Sequence, residues 1–166
     1  MQSYRYAMIK TPIGELMLVQ SIKGLRRIVF EKKIPALLSE IEQKKDNYSL
    51  VEDKVSLKKP IRQINDYFSN NKKNFDIKVD ISMPSFYQKV LFTVMKIPYG
   101  EVRTYREIAI ETGSPNAYRA VGSANAKNLI PIIIPCHRVV AANGNLGGYG
   151  GGLSIKKYLL KMESVI

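Results

Sequence analysis

The chain has 166 residues, 45 % of them hydrophobic, and carries a formal net charge of +12, +6 on each side of residue 83. That length buries one large or two small cores, the single cysteine excludes an internal disulfide, and no apolar run reaches the ~18 residues of a membrane span. Met1-Gln2-Ser3-Tyr4-Arg5 runs straight into a strand pattern instead of a signal peptide's apolar stretch. A cytoplasmic protein with no membrane partner is therefore expected, and the basic balance favours a polyanion, nucleic acid first.

Tyr4 to Lys10 alternates polar and apolar, Thr11-Pro12-Ile13-Gly14 turns, Glu15 to Gln20 alternates again, and Lys23-Gly24 turns into Leu25 to Phe30. The pattern predicts a small antiparallel sheet. Ile34 to Lys45 reads as a helix with Leu37, Leu38 and Ile41 on one face. A polar stretch at Asp46 to Asp53 separates it from a second helix near Pro60 to Ser69. Phe75 to Ile81 alternates as a further strand. No catalytic constellation appears in this half, which reads as scaffold, and Ser82-Met83-Pro84 marks the expected boundary between domains 1–82 and 83–166.

Beyond it, Phe86, Val90, Leu91 and Val94 recur at helical spacing until Pro98-Tyr99-Gly100. Thr104-Tyr105-Arg106-Glu107 fits a capping box for a helix ending at Gly113. Ser114-Pro115 offers an N-cap and a first-turn proline for another helix reaching Ala126. Two short helices across a glycine turn form a helix-turn-helix. The second is nearly all small residues, with Arg119 as its one long cation, an arrangement suited to close approach to a groove or a base stack. A last helix begins near Ser154, with Ile155, Tyr158, Leu159, Met162 and Ile166 on its core face and Glu163 beside it.

Between these helices, Pro135-Cys136-His137-Arg138-Val139 holds the only cysteine and the only histidine. The preceding Ile130-Pro131-Ile132-Ile133-Ile134 reads as a short buried strand stopped by Pro135. A thiol beside an imidazole at such an exit points to a sulfur nucleophile with a base at hand. Adjacent side chains diverge, so a bridging water is the easier link between them. One cysteine and one histidine cannot hold a structural zinc, and no metal or cofactor is expected. The run Gly147-Gly148-Tyr149-Gly150-Gly151-Gly152 fits no phosphate-loop pattern and suits close backbone approach to a ligand.

Tyr118-Arg119-Ala120-Val121-Gly122, Asn128, Ile134-Pro135-Cys136-His137-Arg138-Val139 and the glycine run together resemble the O6-alkylguanine-DNA alkyltransferases (methylated-DNA–protein-cysteine methyltransferases). The resemblance covers about residues 84 to 163. It implies an α/β (α+β) chain, a ribonuclease-H-like N-terminal domain followed by a mainly helical domain carrying the site. It implies that Cys136 accepts the alkyl group, His137 acts as base through water, Glu163 orients His137 and Asn128 supports the turn. By the same resemblance Tyr105 assists the departing base and Arg119 takes the place of the flipped nucleotide. Tyr87, Arg106, Ser114 and Ala142, with Tyr105, fall at DNA-contact positions, and Pro131, Val139, Gly147, Tyr149 and Gly150 at pocket positions. The partner implied is double-stranded DNA containing O6-alkylguanine, met by a monomer. Unlike some members, the chain has no spare cysteines and histidines for an N-terminal zinc. Unlike the alkyltransferase-like branch, it keeps the acceptor cysteine. The competing readings are a non-enzymatic helix-turn-helix that binds lesions, which has no use for a nucleophile, and a cysteine hydrolase, which lacks a second catalytic partner here.

Overall fold

In a computed structural model describing residues 1–166, the N-terminal alternation becomes three antiparallel strands, β1 (Gln2–Thr11), β2 (Gly14–Ser21) and β3 (Gly24–Phe30). Met8 stands opposite Met17, and Leu18 opposite Ile28. Leu16 to Val19 are all buried, so β2 is the centre of the sheet and is covered on both faces. Met17 and Val19 meet Ile34 and Leu37 of α1 (Ile34–Gln43), while α2 (Lys58–Phe68) packs on β1 with Ile64 and Tyr67 fully buried. Leu38, expected on the core face of α1, is instead 45 % exposed.

Two readings of this unit need correction. The polar stretch after α1 contains β4 (Tyr48–Glu52), which pairs parallel to β1 and gives the order β3-β2-β1-β4. Its alternation is muted because an edge strand buries little, and Val51 remains 57 % exposed. Conversely, Phe75 to Ile81 forms no ladder. Val79 makes a single bridge to Leu25, and the segment is held by Gln63, whose Oε1 accepts from the Asp76 amide at 2.9 Å. Its alternation records an extended chain lying half-buried over its neighbours.

The chain divides into units Met1–Asp80 and Ile81–Ile166. In the second, α3 (Ser85–Met95) buries Val90, Leu91 and Val94. Then come β5 (Arg103–Thr104), α4 (Tyr105–Glu111), α5 (Tyr118–Ala126), β6 (Val139–Val140) and α6 (Leu153–Met162), with β5 and β6 paired in parallel. The capping box forms: Thr104 Oγ1 accepts from the Glu107 amide at 3.1 Å, and Glu107 Oε2 accepts from the Thr104 amide at 2.6 Å. Helix α4 ends in a Schellman motif, the Ser114 and Gly113 amides donating to Ala109 and Ile110, with Gly113 at φ 80°. That is why Ser114 does not cap α5: its backbone closes the preceding helix, and α5 begins four residues later at Tyr118.

Candidate active site

The segment leading into Cys136 is a buried turn, not the strand expected from its isoleucines. The Ile134 amide donates back to the Ile130 carbonyl at 3.0 Å, and Pro131 bridges to Ile134. Ile132 sits at φ 74°, a costly conformation for a β-branched residue. Asn128 keeps it in place: Nδ2 donates to the Ile134 carbonyl at 2.9 Å and Oδ1 accepts from the Ile130 amide at 3.0 Å. Pro135 then directs the chain into a 3-10 turn, Cys136–Arg138, in which all three residues are buried.

His137 and Arg138 converge on Glu163. His137 Nε2 lies 2.8 Å from Glu163 Oε1, and Arg138 reaches both carboxylate oxygens, Nη2 at 2.8 Å and Nε at 2.9 Å. Arg138 also donates to the Ile97 carbonyl at 2.7 Å. A carboxylate held by a guanidinium only accepts, so His137 Nε2 carries the proton and Nδ1 is left as the acceptor. Nδ1 is buried and has no hydrogen-bond partner. Burial drives the imidazole below its ordinary value of 6.5, outweighing the hydrogen bond and charge of Glu163, which act to raise it. The His137 imidazole is therefore neutral at neutral pH, with Nδ1 able to accept a proton.

Glu163 turns inward because of how α6 ends. It is the C-cap residue, followed by Ser164 at φ 60° and a Val165 amide that donates back to Leu160. The inner face of α6 is Lys156, Leu159, Leu160 and Glu163; of the apolar stripe read from the sequence, Leu159 is buried and Ile155 and Met162 are half-buried, while Tyr158 and Ile166 are exposed.

Cys136 opens on a cavity of about 330 Å³ lined by Tyr105, Gly122, Asn125, Ala126, Gly148, Tyr149 and Gly150. Burial pushes the thiol up from 9.0 to about 11, although the Asn128 side chain, the Lys156 charge and nearby backbone amides draw it back. The resting group is a thiol. Burial also raises the Tyr105 hydroxyl, with the charge of Cys136 adding to the shift. Gly147, at φ 73°, has to lack a side chain, since a Cβ there would lie 2.7 Å from the Tyr105 hydroxyl. Tyr149 stands edge-on to His137 at 6.5 Å.

Of the residues expected at the pocket, Tyr149 and Gly150 line it and Gly147 abuts Tyr105. Pro131 and Val139 lie outside the lining, buried in the turn and in β6. A smaller cavity of about 120 Å³ beside Tyr4, Tyr48 and Arg27 holds no thiol or imidazole.

Three residues of this neighbourhood escaped the sequence reading. Arg138 is the partner of Glu163, and Asn125 lines the cavity and donates to the Cys136 carbonyl at 3.3 Å. Lys156 is fully buried and donates from Nζ to the carbonyls of Val139 (2.7 Å), Leu146 and Gly148 (3.3 Å), tying α6 to the glycine segment. Burial pulls its amine down to about 8, against the opposing charge of Cys136. A lysine followed by a second lysine, as in Lys156-Lys157, gives no hint in sequence of which one turns inward.

On the outer side, Arg119 and Arg106 occupy the first turns of α5 and α4, exposed and free of ion pairs, and Ala142 is exposed. Tyr87 is half-buried beneath the Lys127 ammonium at 5.2 Å, and Ser114 is half-buried in the cap of α4. No helix is long and apolar enough to cross a membrane.

Residues 4–81 match the 6-O-methylguanine DNA methyltransferase ribonuclease-like domain, and residues 85–165 match the DNA binding domain of the same family. The methylated-DNA–protein-cysteine methyltransferase of Methanosarcina barkeri is 44 % identical over 163 residues, 95 % of this chain and 96 % of that protein. The crystal structure of Mycobacterium tuberculosis O6-methylguanine methyltransferase superposes with a TM-score of 0.83 at 37 % identity, covering 96 % of this chain and 92 % of that one. Mycobacterium tuberculosis OGT in complex with DNA gives 0.81 at 36 % identity, over 97 % and 92 %. Both halves of the chain thus match one family, and the protein belongs to the methylated-DNA–protein-cysteine methyltransferases.

Proposed function

We propose that this protein repairs double-stranded DNA by moving the alkyl group of O6-alkylguanine onto Cys136, after drawing the damaged nucleotide out of the helix. The observation that carries the reading is a buried thiol facing an open cavity, beside an imidazole whose free nitrogen is an acceptor. The reacting carbon is out of reach within a base stack, so the nucleotide is extruded at a cost of a few kcal/mol. Arg119, exposed at the start of α5, is the side chain assigned to the gap, with Tyr87, Arg106, Ser114 and Ala142 near the backbone. The even positive charge of both halves suits the polyanion.

In the transfer, the Cys136 proton passes through a bridging water to His137 Nδ1 while Glu163, held by Arg138, steadies the imidazole. The sulfur–carbon bond forms as the carbon–O6 bond breaks. The electron pair stays on guanine, which takes up one proton, and the Tyr105 hydroxyl donates a hydrogen bond to the departing base. The net exchange is one alkyl group for one hydrogen on sulfur. A thioether has no easily hydrolysed bond, so each molecule acts once, without cofactor. An intracellular setting, where thiols stay reduced and DNA is at hand, suits this chemistry. O4-alkylthymine is a secondary substrate of the same class.

Cys136→Ser separates binding from chemistry. The variant is expected to bind duplex DNA with unchanged affinity and to transfer no detectable methyl. A variant that still transfers would sink the reading.

A further inference from the structure

The unit Met1–Asp80 carries 16 basic and 10 acidic side chains, a surplus of +6, yet holds none of the side chains that carry the transfer. Part of that surplus gathers at its cavity of about 120 Å³. A bulge puts it there. β2 pairs Val19 with Arg27 and Gln20 with Leu25, so Arg26 is one residue too many on β3. Bulges re-aim side chains, and here two successive arginines line one cavity. Val19, Leu37 and Leu50 give it an apolar lining, and Tyr4 and Tyr48, on neighbouring strands, form a wall with their rings stacked at 6.0 Å. The charges are unevenly matched. Arg26 lies 3.4 Å from Asp80 and Lys44 lies 2.9 Å from Glu40, whereas half-buried Arg27 has no hydrogen bond or ion pair. Glu40 and Lys44 both feel the charge of Arg27, but the Glu40 carboxylate is already taken by Lys44. A guanidinium partly withdrawn from water has lost hydration that an anion replaces.

We propose that this cavity binds an unpaired nucleotide of single-stranded DNA, its phosphate on Arg27 and its base against the wall of Tyr4 and Tyr48. A guanidinium meets phosphate oxygens through parallel N–H donors. Every base has a π-face that stacks on an aromatic ring whatever its sequence, and the apolar lining suits a base better than a hydrated ion. Paired bases present only their edges in the grooves, so a duplex has no free face to offer this wall. The site is built wholly from residues 2–50 and uses no group of the transfer machinery. It gives the basic N-terminal unit a contact with DNA of its own.

The test irradiates the full-length protein with a short single-stranded oligonucleotide bearing 5-iodouracil, which attaches to aromatic side chains in contact with it, and maps the attached peptides by mass. Attachment at Tyr4 or Tyr48 is expected with the single strand and not with the same sequence in a duplex. Arg27→Gln is expected to raise the oligonucleotide concentration that half-saturates this attachment about tenfold at fixed ionic strength, the scale of one charge-assisted contact to phosphate. Lys10→Gln removes the same charge from the same unit outside the cavity and is expected to leave it unchanged. Tyr48→Ala, read at Tyr4, gives the same rise as Arg27→Gln should β3 not tolerate glutamine. Unimpaired methyl transfer from O6-methylguanine DNA in each variant shows that the chain is folded. No attachment at either tyrosine, equal attachment with the duplex, or Arg27→Gln behaving like Lys10→Gln overturns the proposal.

Discussion

At Cys136 two opposing effects meet: desolvation holds the proton on sulfur, and Asn128, Lys156 and backbone amides favour its loss. Burial wins, with the thiol at about 11, so the adjacent histidine does not preform a thiolate. Because the proton passes internally to a His137 that is already neutral at pH 7, the single-turnover rate at saturating DNA is expected to stay flat from pH 7 through 9. A rate that climbs steadily over that range would mean that the thiol loses its proton to solvent before reaction, without the use of His137. The same shift bears on stability. The folded value lies above the unfolded 9.0, so this group's contribution is complete below pH 9 and is lost as pH climbs towards about 11. Glu163 is the other decisive residue. Glu163→Gln leaves Arg138 buried without its counter-charge, a loss expected to cost about 3–5 kcal/mol in denaturant unfolding, with slower transfer. A change within about 0.5 kcal/mol would show the carboxylate to be dispensable.

At the scale of elements, α4 and α5 present Arg106 and Arg119 outward while α5 turns Asn125 into the cavity. If Arg119 stands in for the flipped nucleotide, Arg119→Ala slows repair of duplex DNA at fixed ionic strength at least tenfold, and slows reaction with free O6-methylguanine base far less. Arg119→Lys restores the charge but only part of the rate, because ammonium lacks the planar stacking surface of guanidinium. Equal losses on duplex and free base would place Arg119 in the support of the pocket. The helix signals here were legible where they are local: Thr104 and Glu107 satisfy each other's amides within one turn, so their spacing alone announces the cap. Ser114 misled because a cap residue and the tail of a Schellman motif look alike in sequence. Four isoleucines among Ile130 to Ile134 read as a strand, yet Ile132 is bent into the left-handed region by hydrogen bonds from Asn128 that no local propensity encodes. Lys156 and Asn125 were invisible for a related reason. A polar residue on a helix is ordinarily solvated, and only the packing of the glycine segment and the Cys136 turn draws these two inward.

Across the whole molecule, Cys136, His137 and Glu163 come from one unit, Ile81–Ile166, while the net charge is shared by both halves. Chemistry and attraction for DNA are therefore separable, which is why Cys136→Ser is expected to bind and not react. The relation to known methyltransferases extends over both halves, through the ribonuclease-like domain as well as the DNA binding domain. The central claim is that one protein molecule takes one alkyl group onto its only sulfhydryl, and intact-mass and peptide-mass measurements after mixing the protein with excess duplex DNA bearing O6-methylguanine test it most directly. The expected result is a single methyl-for-hydrogen mass increase per chain, mapped to Cys136, with one guanine restored for each protein consumed. Repair of several guanines per protein, or a methyl group found on any other residue, would contradict it.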